Sequence, residues 1–170
     1  MMSKNKIVES YKIKYQKHII DMANSKTSSA FYWEQYDDIV LGDGYSICKI
    51  KRSELLIDLN FKGLIKINGK CPYNLVGFVP NNYVEASITK TVEEKGVKIL
   101  CLEDDRKRYF AWINGKLYSY FKEKTDRFFI DTDQCGSDKL DHYSLHGIYI
   151  QDGDWNVTKG IIMPIMCGKK

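Results

Sequence analysis

The sequence predicts an α+β fold in which antiparallel sheets carry two short helices. The 170-residue chain has the length of one domain, and its 44% hydrophobic residues are enough to bury a single core. Its 12 Tyr, 7 Phe and 3 Trp favour half-buried strands, where a ring packs inward and a polar edge reaches water. At two places the spacing of apolar residues changes from that of a strand to that of a helix, which predicts one helix at each.

The N-terminal part of the chain predicts the order strand, helix and three strands over residues 8–51. Residues 9–15 alternate between apolar and lysine side chains, as in a half-buried strand, and residues 16–25 change to helical spacing. A polar break then separates this helix from strand-like segments rich in aromatic and branched residues. These three predicted strands are residues 30–36, 39–41 and 45–50.

The middle of the chain, residues 52–107, leaves alternatives open. Ser53 fits either the start of a helical turn, as its N-cap, or a further strand. Residues 62–82 contain Gly and Pro among apolar pairs and predict hairpins and loops, whereas residues 85–94 fit either a strand or an irregular insertion. A strand is predicted at residues 97–102, before a charged turn.

The Asn114-Gly115 pair supports two structures. It is a strong signal for a two-residue hairpin turn, because both positions of a type I′ turn need positive φ. Alternatively, residues 115–124 form a helix that places Leu117, Tyr120, Phe121 and Lys124 on one face. We favour the helix, because the N-terminal part of the chain makes the same change of spacing.

The C-terminal part predicts a second unit of strand, helix and three strands over residues 108–166. A strand at residues 109–113 precedes the favoured helix, and residues 133–144 predict a polar loop. The strands that follow the helix are predicted at residues 127–132, 146–151 and 155–165.

The end of the chain resembles the closing segment of a bacterial sliding clamp domain. The sequence Ile161-Ile162-Met163-Pro164-Ile165 looks like the Val-Val-Met-Pro-Met that closes the clamp. The order of elements adds to this likeness, because a clamp domain is built from two strand-helix-three-strand units. The resemblance covers residues 8–51 and 108–166 of a chain expected to form one domain, residues 1–170, and residues 52–107 are an insertion larger than the usual connection.

The resemblance implies a protein that works by binding, without enzymatic activity or a cofactor. In the family, the two short helices lie side by side and face DNA, so basic residues of the predicted helices would approach phosphates. The alternative is that these residues form the solvated faces of ordinary amphipathic helices. The residues implied as nucleic-acid contacts are Lys17, His18, Lys26, Lys116, Lys122 and Lys124.

The resemblance also implies a site for a partner protein at the Met-Pro end. In the family, this segment lines an apolar pocket that receives short peptides, which carries over to Met163, Pro164 and Met166. Met166 departs from the pattern, since the clamp often has Arg there. The alternative is plain packing of an edge strand. One domain encircles a duplex only if about six copies associate, so a homo-oligomer is an expected partner state.

Charge and cysteine content limit the surroundings in which the chain is expected to act. The net charge of +4 permits a polyanion partner such as DNA without requiring one. Five cysteines, without a Cys-x-x-Cys pair, argue against a disulfide framework or a zinc finger. No apolar run approaches the length of a membrane span, so we expect a cytoplasmic protein without a membrane partner.

One segment contains side chains of the types that bind metals. Carboxylate, thiol and imidazole groups gather there, but glycine and serine nearby favour a solvated loop, and no His-Glu-x-x-His motif is present. A metal-dependent hydrolase is therefore the weakest of the functional alternatives, and no metal is expected. The residues concerned are Asp131, Asp133, Cys135, Asp138, Asp141, His142 and His146.

The leading hypothesis is a clamp-like binding protein that acts in DNA replication or on host nucleic-acid machinery. Abundant Lys, Ile, Asn and Tyr with only 3 Pro are typical of a low-GC genome, which suggests a phage origin. The second hypothesis follows from this origin: a phage anti-defence or host-takeover inhibitor whose β-rich surface binds a host protein. The expected partners are thus a host or phage protein and DNA.

Overall fold

The computed structural model describes residues 10–27, 29–72, 75, 82–132, 147–153 and 157–165. Two α-helices form in this part of the chain: α1 (Tyr11–Asn24) and α2 (Gly115–Phe121). A single turn of 3-10 helix covers Arg52–Glu54. The strands in chain order are β1 (Ala30–Gln35), β2 (Asp38–Gly42), β3 (Ser46–Lys51), β4 (Leu64–Lys66), β5 (Tyr83–Glu94), β6 (Val97–Asp104), β7 (Phe110–Asn114), β8 (Asp126–Asp131), β9 (Ile148–Asp152) and β10 (Val157–Ile162).

The ten strands of the described residues form one sheet, in the order β4-β1-β2-β3-β10-β9-β8-β5-β6-β7. The neighbours pair antiparallel, except that β4 runs parallel to β1. The two helices pack against each other and against this sheet. The predicted α+β class is therefore confirmed.

The sheet contains two similar halves that meet at its centre. Helix α1 is followed by the antiparallel strands β1, β2 and β3, and α2 is followed by β8, β9 and β10. The last strands of the two halves pair with each other, with Gly160 opposite Cys48. Because β7 precedes α2, the second half has the predicted order of strand, helix and three strands.

The middle of the chain belongs to the same sheet. Residues 85–94, for which a strand or an irregular insertion was open, lie in β5, which pairs with β6 and β8. Ser53 lies in the 3-10 turn, which has no side-chain cap. Within residues 62–82 the described part forms β4 and loop. The predicted strands from residue 30 onward are confirmed with shifts at their ends, and the predicted polar loop at residues 133–144 lies outside the described residues.

The strand predicted at residues 9–15 is wrong, because residues 11–15 belong to α1. Tyr15 and Ile19, four residues apart, are both fully buried, and Tyr11 packs against the same core one turn earlier. A four-residue repeat also satisfies a period of two over so short a segment, so the alternation fits both structures. The helix forms because it buries Tyr11, Tyr15 and Ile19 together on one side.

The helix predicted after Asn114 is confirmed over the hairpin alternative. The Asn114 side chain accepts hydrogen bonds from the backbone N–H groups of Lys116 (2.8 Å) and Leu117 (3.3 Å), as an N-cap does. The helix ends at Phe121, however, and the prediction that it continues to Lys124 is wrong.

A buried lysine explains why α2 ends at Phe121. A β-bulge in β10 turns Lys159 toward the helices, where its side chain is fully buried. Its ammonium donates to the Phe121 carbonyl (2.6 Å) and to the carboxylates of Asp126 (2.7 Å) and Glu123 (3.0 Å). The last turn of α2 is thereby attached to the central strand of the sheet.

The sheet is strongly curved around α2. A seven-residue helix is about 10 Å long, yet α2 begins at the end of β7 and contacts β10. Five strand spacings separate β7 from β10, which in a flat sheet would be about 24 Å. The backbone N–H of Ile165, just after β10, also donates to the Trp112 carbonyl of β7 (2.8 Å). Strands β10 and β7 therefore approach each other, although four strands lie between them in the sheet.

Replacement of Lys159 by Met tests the role of this charge. The variant leaves two carboxylates and the Phe121 carbonyl without their buried cation, so we expect the free energy of unfolding to fall by about 3–5 kcal/mol. Urea unfolding followed by circular dichroism measures the change. The exposed Lys124→Met is the matched control and should stay within about 0.5 kcal/mol of the parent. Equal stability of Lys159→Met and the parent would contradict this role.

Candidate functional site

Helices α1 and α2 lie side by side on one face of the sheet and form a helix layer, defined here as the two helices and the turns that follow them. The Tyr15 and Phe121 rings are in contact, with centroids 5.0 Å apart. The His18 imidazole stacks on the Tyr120 ring at 4.3 Å, with an angle of 20° between the planes. These contacts join the two helices directly, so that residues of both share one solvent-facing surface.

Lysine side chains are exposed on both parts of the helix layer. Lys17 projects from α1 and Lys116 from the first turn of α2. Lys26 lies in the turn after α1, and Lys122 and Lys124 lie just after α2, all three exposed. Acidic side chains, Asp21 and Glu123, are exposed on the same elements and moderate the positive charge. Five of the six residues predicted to contact nucleic acid are thus at this surface.

His18 is the exception, because it is buried. Its Nε2 lies 2.6 Å from Asp43 Oδ2, in the turn between β2 and β3, and both side chains are almost completely shielded from solvent. The prediction that His18 lies on the polar face of the helix is wrong. The imidazole bonds α1 to the sheet, and the exposed lysines remain as candidates for phosphate contact.

The turn that holds Asp43 is fixed by further hydrogen bonds. Asp43 Oδ1 accepts from the backbone N–H groups of Tyr45 (2.9 Å) and Ser46 (2.7 Å) and from the Ser46 hydroxyl (3.0 Å). Ser46 Oγ also bonds the Tyr15 hydroxyl (2.9 Å). Serine, histidine and aspartate are therefore close together, but Ser46 Oγ bonds to Asp43 and Tyr15 instead of His18. A nucleophilic serine needs the hydroxyl-to-imidazole bond, so this geometry is that of a structural network.

Two opposing effects set the ionisation of Asp43. Burial acts to raise the pKa of the carboxyl group, because it disfavours the charged form. The hydrogen bond with His18 and those from the Tyr45 and Ser46 N–H groups favour the carboxylate and outweigh burial. The net result is a pKa below the usual range of aspartate, so the group is a carboxylate at neutral pH.

The other face of the sheet carries an apolar pocket with a volume of about 270 Å³. Met163 lines it, and the Met163 N–H donates to the Tyr45 carbonyl (2.7 Å), which continues the pairing of β10 with β3. Pro164 follows and is partly buried, while Met166 lies outside the described residues. The pocket-lining residues are Phe31, Trp33, Gly44, Ser46, Ile47, Ile67, Pro72, Ile161 and Met163.

Met163 was predicted from the sequence to line an apolar pocket, but the aromatic wall of the pocket, formed by Phe31 and Trp33, was not predicted. Phe31 and Trp33 alternate with the buried Ala30 and Tyr32, which face the helices, so the two rings must share the opposite face. Their rings contact each other with centroids 5.1 Å apart. The alternation within β1 is the signal that could have located this wall.

The predicted metal-binding segment can be assessed at one of its residues. Asp131 ends β8 and accepts a hydrogen bond from the Asn82 side-chain amide (2.9 Å). Within the described ranges, no group of three or more His, Cys, Asp or Glu side chains is placed to hold a metal ion. The remaining residues of the prediction, Asp133, Cys135, Asp138, Asp141, His142 and His146, lie outside those ranges.

Three cysteines of the described residues, Cys48, Cys71 and Cys101, are buried. Burial raises the pKa of the Cys48 thiol, which disfavours the reactive thiolate. The Cys48 thiol therefore packs as a small apolar group.

Asp43→Asn tests the network between α1 and the sheet through its pH dependence. A carboxyl group whose pKa is lowered by folding stabilises the protein above its unfolded pKa of about 3.9, and this stabilisation is lost as pH falls through the lower native value. Near neutral pH we expect the variant to unfold at lower urea concentration than the parent. The difference should shrink below about pH 4, when the parent carboxylate also becomes protonated. A gap that is constant from neutral to acidic pH would contradict the role of the charge, and the exposed Asp37→Asn is the control.

Comparison with protein-family models, with curated proteins and with solved structures gives no match to this chain. Neither α1 nor α2 combines the length and the apolar character that a helix needs to cross a membrane, within the described residues.

Proposed function

We propose that the chain is a non-enzymatic, clamp-like protein whose helix layer binds double-stranded DNA through its phosphates. The observation that carries this proposal is the position of two helices side by side on one face of the sheet, with exposed lysines on both. Contacts of this kind are independent of base sequence, because phosphates repeat along every duplex. The proposed setting is DNA replication or interference with host nucleic-acid machinery.

Local charge supports the proposal better than net charge does. The whole chain has only +4, but Lys17, Lys26, Lys116, Lys122 and Lys124 are concentrated in the helix layer. A lysine cluster on one surface raises the local concentration of a polyanion even when the net charge is modest. Removal of this cluster should therefore affect DNA binding far more than removal of the same charge elsewhere.

A matched pair of triple variants tests the helix layer. The first replaces Lys17, Lys116 and Lys122 by Glu, and the control replaces the exposed Lys51, Lys70 and Lys107 by Glu, outside the helix layer. Each Lys→Glu changes the charge by −2, so both variants move the net charge from +4 to −2. Fluorescence anisotropy of a labelled duplex, titrated between about 50 and 200 mM salt, measures the affinity.

The first variant should bind more weakly than the control and show a flatter dependence on salt. The slope of log K against log salt falls by about 0.9 for each phosphate contact that is lost, so a loss of two to three contacts is expected to reduce it by about 2–3. Equal losses in both variants would show that only net charge matters. No binding of the parent to DNA at low salt would overturn the proposal.

The apolar pocket favours a second candidate function, recognition of a host or phage protein. Its volume of about 270 Å³ lies below the range of about 300–1,000 Å³ typical of small-molecule sites. Phe31, Trp33 and Met163 give it an apolar lining, and Tyr45 stands 67% exposed beside it. We infer that the occupant is one large apolar side chain of a partner protein, a mode in which a buried anchor supplies much of the affinity.

Met163→Glu tests this second candidate, because a carboxylate at the pocket would have to be desolvated by an apolar anchor. A partner protein isolated on the parent chain should bind this variant at least about tenfold more weakly in a direct titration, which corresponds to about 1.4 kcal/mol. The control is Ser119→Glu, an exposed position on α2, on the opposite face of the sheet. Equal affinity of the partner for both variants would place its binding site away from the pocket.

A further inference from the structure

The hairpin of β5 and β6 extends beyond its neighbours in the sheet. Strand β5 is 12 residues long and pairs with β8 only over residues 83–86, whereas its pairing with β6 continues to Glu94. Within the described part of the chain, residues 87–94 therefore have one edge that pairs with no other strand. Lys95 and Gly96, both with positive φ, form the tight turn at the tip.

This edge is exposed and partly apolar. Ile88, Val92 and Val97 are each about 40% exposed, an unusual grouping for three branched apolar residues on one hairpin. Unpaired strand edges offer free N–H and C=O groups to another strand, and natural proteins commonly protect them with proline, charge or a covering element. Here the charged residues of the edge are Lys90, Glu93 and Glu94, and their order determines which strand fits.

The order of charges favours a second copy of the same strand in antiparallel orientation. In a parallel, in-register pair, Lys90 would face Lys90, and each glutamate would face its own copy, which is repulsive. In an antiparallel pair centred on Val92, Lys90 faces Glu94 of the other copy, Thr91 faces Glu93, and Val92 packs against itself.

Symmetry selects that register. A two-fold axis perpendicular to a continuous sheet keeps each residue on its own face, and directly opposed residues of an antiparallel pair also share a face. The axis must therefore lie midway between the two copies of one residue, so that this residue faces its own copy. The register centred on Val92 is then the one that places Lys90 opposite an acidic residue of the hairpin. Lys90 Nζ lies 5.2 Å from the Trp112 ring of β7, on the same face as Glu94 but on the β6 side of the strand. To pair with Glu94 of the second copy, the exposed Lys90 side chain has to turn from Trp112 toward the free edge.

We propose that two copies of the chain associate through the free edges of β5, in the antiparallel register centred on Val92, to form one continuous sheet. The interface contains no residue of the helix layer, and it forms without DNA. Cross-strand pairing over so few residues predicts reversible association that depends on concentration.

Charge exchange between Lys90 and Glu94 tests the register, with sedimentation velocity of the pure protein over a range of concentrations and without nucleic acid. Lys90→Glu and Glu94→Lys should each weaken self-association at least about tenfold, because both cross-strand pairs become like-charged. Net charge moves in opposite directions, from +4 to +2 in the first variant and from +4 to +6 in the second. Weakening of both therefore reports a local contact and not general repulsion.

The two variants also provide their own rescue. An equal mixture of Lys90→Glu and Glu94→Lys should associate about as well as the parent. In the mixed pair the introduced glutamate faces the introduced lysine, and the native Lys90 of one copy faces the native Glu94 of the other. The variant that carries both changes should likewise recover self-association, since its cross-strand pairs again join opposite charges.

Two results would overturn the proposal. One is a parent protein that remains monomeric at every concentration. The other is self-association that neither variant weakens or that the mixture does not restore. The tests leave Lys17, Lys116 and Lys122 intact, so failure here and failure of DNA binding are separate results.

Discussion

The position of α2, and with it the arrangement of the helix layer, depends on the hydrogen bonds made by the buried ammonium of Lys159. An ammonium has three donor hydrogens, and the three acceptors around it are the Phe121 carbonyl and the carboxylates of Asp126 and Glu123. The carbonyl lies at the C-terminal end of α2, where the helix dipole concentrates partial negative charge. The β-bulge is the cause of this geometry, because it turns a strand residue to the helix side that regular alternation would have sent elsewhere. One extra residue in β10 therefore fixes where α2 ends.

The other helix is attached to the sheet in a different way, and the result is a single layer. The His18 to Asp43 bond holds α1 to the turn between β2 and β3, while Tyr15 contacts Phe121 of the neighbouring helix and Tyr120 contacts the imidazole. Both attachments use polar side chains that are buried and hydrogen-bonded, which specifies a geometry more narrowly than apolar packing alone. The solvent-facing lysines thus project from a surface whose two parts are held in a fixed relation.

The sequence predicted the class of the fold and the type of most elements, but not the contacts that hold them together. Period and turn chemistry located β1 to β3 and the helix after Asn114, because those signals are local. The prediction of a strand at residues 9–15 was wrong, because the four-residue spacing of Tyr11 and Tyr15 fits a strand and a helix equally well. His18 and Lys159 could not be placed, because their burial depends on partners 25 and 33–38 residues away along the chain. The aromatic wall of the pocket was predictable from alternation in β1, whereas the pocket itself requires strands from both halves of the sheet.

The proposed pairing of two β5 edges has a consequence for the helix layer. A two-fold axis perpendicular to the shared sheet leaves each face on its own side, so the helix layers of both copies would lie on the same side of the assembly. Lysines of two copies would then face one duplex together, and the second set of contacts would form at a high effective concentration once the first had formed. As a single unit, a helix layer with five exposed lysines and two exposed acids would bind phosphates only weakly. Doubling it through an edge whose own charges are complementary would raise DNA affinity without any new contact within one chain.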